Sequence, residues 1–161
     1  MGSGKSTVGR ALASRIGVAH VDTDDLVSKE AGCSIPEIFD RDGEDRFREL
    51  ESAALARALS ARSVVSTGGG IVVSESNRTR LQDSDAFVVW LDGSIDALTQ
   101  RVGSGRGRPL LQGDVRSTLQ EKIVERAPGY LEVADLRVDT TQMRHVDCVD
   151  AIVAAMEGVS A

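Results

Sequence analysis

Apolar and polar positions alternate along this chain in the manner of short buried strands joined by helices. Near-continuous apolar runs are typical of strands in a parallel sheet, which is covered on both faces. One such run predicts a strand at residues 86–91, and shorter segments predict strands at residues 18–22, 63–67 and 136–139. Apolar residues spaced three or four apart predict helices at residues 7–16, 45–59, 94–101, 115–126 and 146–156, with another beginning at 25–26. This alternation predicts an α/β fold with a parallel sheet and ligands at the carboxyl ends of its strands.

Length and composition limit the classes of protein that fit. The chain has 161 residues, of which 41% are hydrophobic, enough for the core of one α/β domain spanning residues 1–161. A formal net charge of −6 argues against a nucleic-acid partner, which calls for a basic face. Cys33 and Cys148 stand apart, which fits a reducing cytosol better than a disulfide framework or a zinc site. Without an apolar run of membrane-span length or a signal peptide, we expect a cytoplasmic protein with no membrane partner.

The first residues carry a pattern that binds phosphate. Glycines let the backbone approach phosphate oxygens, and a helix that follows presents its N-terminal amides to the anion. In such a loop the lysine bridges the β- and γ-phosphates and the next hydroxyl ligates Mg²⁺. Here the candidate residues are Gly2, Ser3, Gly4, Lys5, Ser6 and Thr7.

This phosphate-loop pattern is incomplete at its amino end. It lacks a glycine three residues before Gly2 and the apolar strand that precedes such a loop. Removing a central strand should cost more than the net stability of a domain, about 5–15 kcal/mol. We therefore expect Met1 to be an internal methionine of a longer protein, the alternative being a true terminus with another element in the place of the strand.

Two carboxylates follow the first predicted strand. Asp22 and Asp24 lie two residues apart, so on an extended segment both side chains face the same way and can share one cleft. One can hold Mg²⁺ through water while the other orients an acceptor hydroxyl. The structural alternative is that Thr23 or Asp24 caps the next helix, and both interpretations can hold together.

Three consecutive glycines, Gly68, Gly69 and Gly70, follow the second predicted strand. They offer a surface without side chains against which a ligand can lie. A plain turn needs only one glycine, so the triplet favours a binding role.

Arginines supply the candidate anion contacts. Arg48 and Glu51 lie three apart on one face of a predicted helix. A planar guanidinium binds a carboxylate through two parallel hydrogen bonds, so Arg48 is a candidate to bind a substrate that carries a carboxylate. The alternative is a solvated face with local ion pairs. Arg126 stands at a predicted helix end, where its structural role would be interaction with the last carbonyl groups.

Residues 103–113 contain four glycines and two arginines, Arg106 and Arg108. This composition favours a mobile lid that swings arginines onto phosphates and excludes water from the transfer. The alternative is a plain connector.

Together and in this order, the motifs resemble shikimate kinase, a family of the nucleoside-monophosphate-kinase-like P-loop kinases. The resemblance covers nearly the whole chain. It rests on M-G-S-G-K-S-T-V-G at Met1 to Gly9, D-T-D at Asp22 to Asp24, F-R-x-x-E at Phe47 to Glu51, S-T-G-G-G at Ser66 to Gly70, R-P-L-L at Arg108 to Leu111 and E-R-A-P-x-Y at Glu125 to Tyr130.

The resemblance implies a three-layer P-loop kinase fold: a central parallel sheet of five strands, the first absent here, flanked by helices. It implies a lid at about residues 103–115 and a substrate-binding helical segment at about residues 24–60. On the nucleotide side, Lys5 and the loop amides would hold ATP, and Ser6 would ligate Mg²⁺ with Asp22 acting through water. Arg108 would stabilise the transferring phosphoryl group and Arg101 would lie near the adenine.

On the acceptor side, the resemblance implies that Asp24 contacts the acceptor hydroxyl as a base or a positioning group. Arg48 and Arg126 would bind the shikimate carboxylate, Gly69 would contact the ring hydroxyls, and Glu51 would hold Arg48. The implied activity is transfer of the ATP γ-phosphoryl group to the 3-hydroxyl of shikimate, with ATP and Mg²⁺, by a monomer.

Residues 139–145 lack the arginine-asparagine-proline run common in the family's adenine-binding loop, so adenine contacts there are not assigned. Two other functions remain open: a gluconate-type sugar-acid kinase on the same scaffold, and a truncated, inactive nucleotide-binding protein.

Overall fold

Helices and short strands alternate along the chain in the computed structural model, which describes residues 1–103 and 114–159. The strands are β1 (Ala19–Asp22), β2 (Ser63–Ser66), β3 (Val89–Asp92) and β4 (Leu136–Asp139). The helices are α1 (Lys5–Ile16), α2 (Thr23–Ala31), α3 (Ile35–Leu59), α4 (Glu75–Gln82), α5 (Ile95–Val102), α6 (Val115–Val133) and α7 (His145–Val159), with a short 3₁₀ helix at Ile71–Val73. The predicted strands are confirmed in position, although β3 begins three residues later than expected.

Two helices extend beyond their predicted limits. Helix α3 begins at a capping box, in which Ser34 and Glu37 each accept a hydrogen bond from the other's backbone amide. The sequence pattern revealed only its second half because Gly43, at φ 82°, interrupts the helical periodicity. Helix α6 continues through Pro128, where a helix end was expected. Packing of its last turn against the core outweighs the cost of the proline.

Both strand pairs are parallel, as the sequence predicts. Strand β1 pairs with β2, and β3 pairs with β4. In the described part of the chain no strand lies between β2 and β3, so the central sheet is divided into two halves.

A cavity of about 870 Å³ opens between the two half-sheets. It is lined by the facing edges of β2 and β3 and by apolar side chains of α1, among them Val8 and Leu12. The expectation of a fully buried strand at residues 86–91 is therefore wrong in detail, since every residue of β3 is only half-buried. The strand borders this cavity on the side where a neighbouring strand would cover it.

Helices cover the strands on two sides. One core cluster joins α1 and α7 to alternating residues of β3 and β4. A second cluster joins α3, α4 and α6 to the 3₁₀ helix and Val88. A third lies between α2 and α3. This layering brings the ends of β1 and β2, the start of α1 and the middle of α6 to one region.

Among the helices of the described ranges, none combines the length and apolar character needed to cross a membrane.

Candidate active site

The phosphate loop has the backbone geometry that its sequence predicts. Gly2 and Gly4 have positive φ angles of 75° and 87°, which favour glycine. Helix α1 begins at Lys5, and Gly4 at its N-cap position has no side chain to accept a hydrogen bond from the first amides. The amino end of α1 therefore presents amides and partial positive charge to an anion.

Helix α1 is held close to β2 at this point. The Ser66 hydroxyl donates a 3.2 Å hydrogen bond to the carbonyl oxygen of Lys5. A Cβ at Gly9 would lie 2.5 Å from that hydroxyl, so only glycine permits this approach. The position of the phosphate loop is thereby fixed by the end of a strand.

Ser6 and Asp22, the two residues that the family resemblance assigns to Mg²⁺, lie together. The Ser6 hydroxyl donates to Asp22 Oδ2 at 2.8 Å. The other oxygen, Oδ1, accepts from the backbone amide of Asp24 at 3.1 Å and so caps α2. The alternative in which Thr23 or Asp24 caps this helix is wrong, because Asp22 is the cap.

Thr23 has a different role, which the sequence did not indicate. Its side chain is fully buried, and its hydroxyl accepts a 3.2 Å hydrogen bond from the Gly68 amide. This bond ties the start of α2 to the first residue of the glycine triplet. The carboxylate pair and the glycines therefore form one structural unit.

Asp24 carries a buried carboxylate oxygen, Oδ1, that has no hydrogen-bond partner among the described residues. Its pKa is raised from 3.8 to about 6, chiefly by burial and next by the negative charges of Asp22 and Glu51. The positive charge of Lys5 acts in the opposite direction. A carboxyl group with this pKa can exchange a proton near neutral pH, as a base or a positioning group for a hydroxyl must.

The three glycines each face a different part of the site. A Cβ at Gly68 would overlap the Glu51 carboxylate and lie 3.1 Å from Asp24 Oδ1. A Cβ at Gly70 would overlap the guanidinium group of Arg48. The middle residue, Gly69, faces α6. The triplet is thus required for the close approach of polar side chains, which a plain turn would not need.

Arg48 and Glu51 form a partly buried ion pair, with Nη1 and Oε2 2.7 Å apart. Arg48 also pairs with Glu44, which is half exposed. Glu51 is only 1% exposed, and burial raises its pKa although the charge of Arg48 opposes the shift. The solvated-face alternative does not describe this pair, because Glu51 lies inside the protein and holds Arg48 beside Gly70.

Arg126 lies in the interior of α6 and not at a helix end, so its expected structural role at the last carbonyl groups is wrong. Its side chain is buried, at 5% exposure, and Nη1 would lie 3.4 Å from a Cβ on Gly69. Its Nε has no hydrogen-bond partner in the part of the chain described. Arg126 is therefore a buried cation directed at the glycine surface.

Tyr130 is a residue of this site to which the sequence assigned no role. It lies one turn after Arg126, and its hydroxyl donates a 2.5 Å hydrogen bond to the Gly69 carbonyl. Its only sequence signal was its place in the E-R-A-P-x-Y motif. Gly68 and Gly70 were also singled out only as part of the triplet.

Arg101 lies at the end of α5, away from the glycine triplet. Its guanidinium group donates to the hydroxyl and carbonyl oxygens of Thr140 at 3.0 and 2.7 Å. These bonds place it beside the segment that follows β4, where the resemblance puts the adenine. Arg108 and residues 104–113 of the predicted lid lie outside the described residues.

Orphaned polar atoms converge at the glycine triplet. Asp24 Oδ1, Glu51 Oε1 and Arg126 Nε are buried, and none has a hydrogen-bond partner among the described residues. Buried polar groups are normally paired, because leaving one unpaired costs about 1–3 kcal/mol. Two acceptors and a cation around one glycine surface fit a ligand that carries both hydroxyl and carboxylate groups.

The strand-to-helix layering, the phosphate loop and the adjoining polar site define an α/β P-loop kinase, which confirms the predicted fold class.

Comparisons with known proteins identify the family. A sequence model described as shikimate kinase matches residues 1–157. A shikimate kinase from Ruegeria pomeroyi is 44% identical over 159 residues, which cover 97% of this chain and 80% of that protein. A shikimate kinase from Acinetobacter baumannii, solved in complex with shikimate, has a TM-score of 0.92 and 34% identity, covering 98% of this chain and 89% of that one. The chain belongs to the shikimate kinase family, as its motifs predicted.

The sugar-acid alternative shares the scaffold. A gluconokinase from Sinorhizobium meliloti covers 99% of this chain and 88% of that one, with a TM-score of 0.66 and 24% identity. At this level of identity the likeness extends to the fold alone.

Proposed function

We propose that the protein transfers the γ-phosphoryl group of ATP to the 3-hydroxyl of shikimate. The observation that carries this proposal is the set of orphaned buried atoms around the glycine triplet: two carboxylate oxygens and one guanidinium nitrogen beside a phosphate loop. Family membership agrees with it, and the related Acinetobacter enzyme is described as a complex with shikimate.

On the nucleotide side, the amino end of α1 binds the β- and γ-phosphates, with Lys5 and the amides of residues 2–7. Ser6 and Asp22 suit Mg²⁺, which keeps several waters and takes one or two protein oxygens together with phosphate oxygens. When bound, Mg²⁺ neutralises charge on the phosphates. Arg101 contacts the adenine side, and Arg108 stabilises the transferring group.

On the acceptor side, Arg48 and Arg126 bind the shikimate carboxylate with their guanidinium groups. Gly69 contacts the ring hydroxyls. The Asp24 carboxylate accepts a hydrogen bond from the 3-hydroxyl and takes its proton as the oxygen bonds to the γ-phosphorus. The bond between that phosphorus and the β,γ-bridging oxygen breaks, and ADP leaves with the bridging oxygen. Since phosphoryl transfer depends mainly on positioning and charge stabilisation, these roles account for the machinery that the reaction requires.

A coupled assay of ATP turnover tests the proposal, with shikimate, gluconate or no acceptor. We expect shikimate-dependent turnover, reduced about 10²–10⁴-fold by Asp24→Asn. Turnover with gluconate and not with shikimate would favour the sugar-acid kinase. A folded protein that binds ATP but turns over neither acceptor would favour the nucleotide-binding role.

We further propose that the enzyme works as a cytoplasmic monomer without nucleic acid or membrane. The net charge of −6 supports the exclusion of nucleic acid. Cys33 and Cys148 are both free thiols in the structure, which agrees with a reducing compartment. Analytical ultracentrifugation at several protein concentrations tests the monomer: a constant mass near that of one chain is expected.

A further inference from the structure

The hydroxyl of Tyr130 lies between two parts of the acceptor site. Arg126 and Tyr130 are four residues apart on α6, so both side chains leave the same face of the helix. The hydroxyl donates a 2.5 Å hydrogen bond to the carbonyl of Gly69. A Cβ on Gly69 would lie 3.4 Å from Arg126 Nη1 and 3.5 Å from Tyr130 Oη. The guanidinium and the phenol therefore meet at the same glycine.

Arg126 also acts on this phenol directly. Burial raises the pKa of Tyr130 above its ordinary value, while the positive charge of Arg126 opposes the rise. Tyr130 therefore stays protonated at neutral pH. A neutral phenol has one proton to donate and lone pairs to accept, so it can bond Gly69 and Arg126 together.

The ring of Tyr130 is held from its other side by the β3–β4 pair. It stacks on Trp90 with ring centroids 5.3 Å apart and an interplanar angle of 24°. Arg137, the register partner of Trp90, lies 4.6 Å from the indole centroid and pairs with Asp92 at 2.6 Å. Stacking on a side chain fixed in this way restricts the position of the phenol.

We propose that Tyr130 is a positioning residue of the acceptor site, which holds the Arg126 guanidinium and the Gly69 peptide in the orientation that binds the acceptor carboxylate. The proposal rests on the proposed function. Arg126 Nε has no hydrogen-bond partner in the described part of the chain, and Arg126 Nη1 and Tyr130 Oη both lie beside Gly69, so a bond from the phenol would restrain the guanidinium before substrate arrives. Losing a bond to a charged group then weakens acceptor binding more than it slows the chemical step.

Tyr130→Phe tests this, because it removes the hydroxyl and keeps the ring that stacks on Trp90. We expect the KM for shikimate to rise about tenfold, with kcat within about twofold and the KM for ATP unchanged. Ser60→Ala is the matched control: it also removes a hydroxyl that donates to a backbone carbonyl, that of Arg57 at 2.8 Å, on an exposed helix end. The control should leave all three constants unchanged.

A double variant separates positioning from general damage. If Tyr130 acts through Arg126, then Tyr130→Phe combined with Arg126→Lys should lose less than the product of the two single losses in kcat/KM. Independent effects would multiply, and that outcome would overturn the proposal.

Binding is also measurable without turnover. Trp90 is the only tryptophan of the chain, and it stacks on Tyr130. We expect shikimate to change the Trp90 emission of the wild type, with the midpoint of the titration about tenfold higher in Tyr130→Phe. If the wild type turns over shikimate but Tyr130→Phe has the same titration midpoint and the same KM, the positioning role is overturned and the proposed function is not. A variant whose kcat falls while its KM stays constant would have the same meaning. A wild type without shikimate-dependent turnover would overturn the proposed function and this inference with it.

Discussion

The raised pKa of Asp24 makes a prediction about stability as well as activity. The folded protein keeps this carboxyl protonated up to about pH 6, whereas its ordinary pKa is 3.8. Between these pH values the folded state binds more protons than the unfolded state. The free energy of unfolding therefore falls as pH rises through this window. The contribution of the neutral carboxyl is fully present below about pH 3.8 and lost above about pH 6.

The magnitude follows from the two pKa values. The difference between 3.8 and about 6 corresponds to at most about 3 kcal/mol, at about 1.36 kcal/mol per pKa unit. Asp24→Asn removes the titrating group and keeps the shape of the side chain. We expect the free energy of unfolding of the variant, minus that of the wild type, to increase by up to about 3 kcal/mol as the pH rises from 4 to 7.5. The same variant should lose most of its activity, so the carboxyl of Asp24 would support activity while lowering the free energy of unfolding near neutral pH.

Urea unfolding of both proteins at a series of pH values measures this effect. Asp25→Asn is the control, since Asp25 is the exposed neighbour on the same helix and its charge makes the smallest of the named contributions to the raised pKa of Asp24, so its pH-dependent difference should be much smaller. The kcat/KM of the wild type should rise with pH through an apparent pKa of about 6. A difference in unfolding free energy that is constant with pH, or that favours the wild type as pH rises, would show that Asp24 is not a desolvated carboxyl.

Further predictions concern the glycine surface, the metal side and the divided sheet. Gly70→Ala should raise the KM for shikimate about tenfold or more, because the new Cβ overlaps the Arg48 guanidinium. Gly158→Ala is the control: its new Cβ meets no atom within 4 Å, so the kinetics should not change. Ser6→Ala should raise the Mg²⁺ concentration needed for half-maximal turnover several-fold, measured at saturating ATP and shikimate; an unchanged requirement would remove Ser6 from the metal side. An apolar strand of five residues fused ahead of Met1 should raise the Tm by about 5 °C or more if it fills the cavity between β2 and β3, and a Gly/Ser extension of equal length should not.

Local pattern was enough to predict the class of fold and the pieces of the site. The pattern predicts the strands at residues 63–66 and 136–139 to within one residue, because each is a short segment with two apolar residues between helical patterns. Helix limits were less predictable. The start of α3 is hidden by Gly43, and α6 continues through Pro128 because its last turn packs on the core. The pattern does not predict helix α4, since its sequence is mostly polar and only Asn77 and Leu81 are buried.

Contacts between distant segments were beyond the reach of local pattern. The sequence placed Asp22 and Asp24 in one cleft, but only the folded chain shows that Asp22 caps α2 while Thr23 binds the Gly68 amide. These bonds depend on where β1 and β2 end relative to each other, and local residue preferences carry no information about that.

The sequence by itself determined which chemical groups this protein brings to its site: a phosphate loop, a carboxylate pair, a glycine triplet and arginines, in an order that marks the shikimate kinase family. Only the tertiary structure decided how they meet. It set Glu51 and Arg48 as a partly buried pair against the triplet, and it placed Tyr130 between Gly69 and Trp90. The physical reason is that residue type fixes what a side chain can do, whereas burial, pKa and orientation depend on neighbours supplied by other segments of the chain.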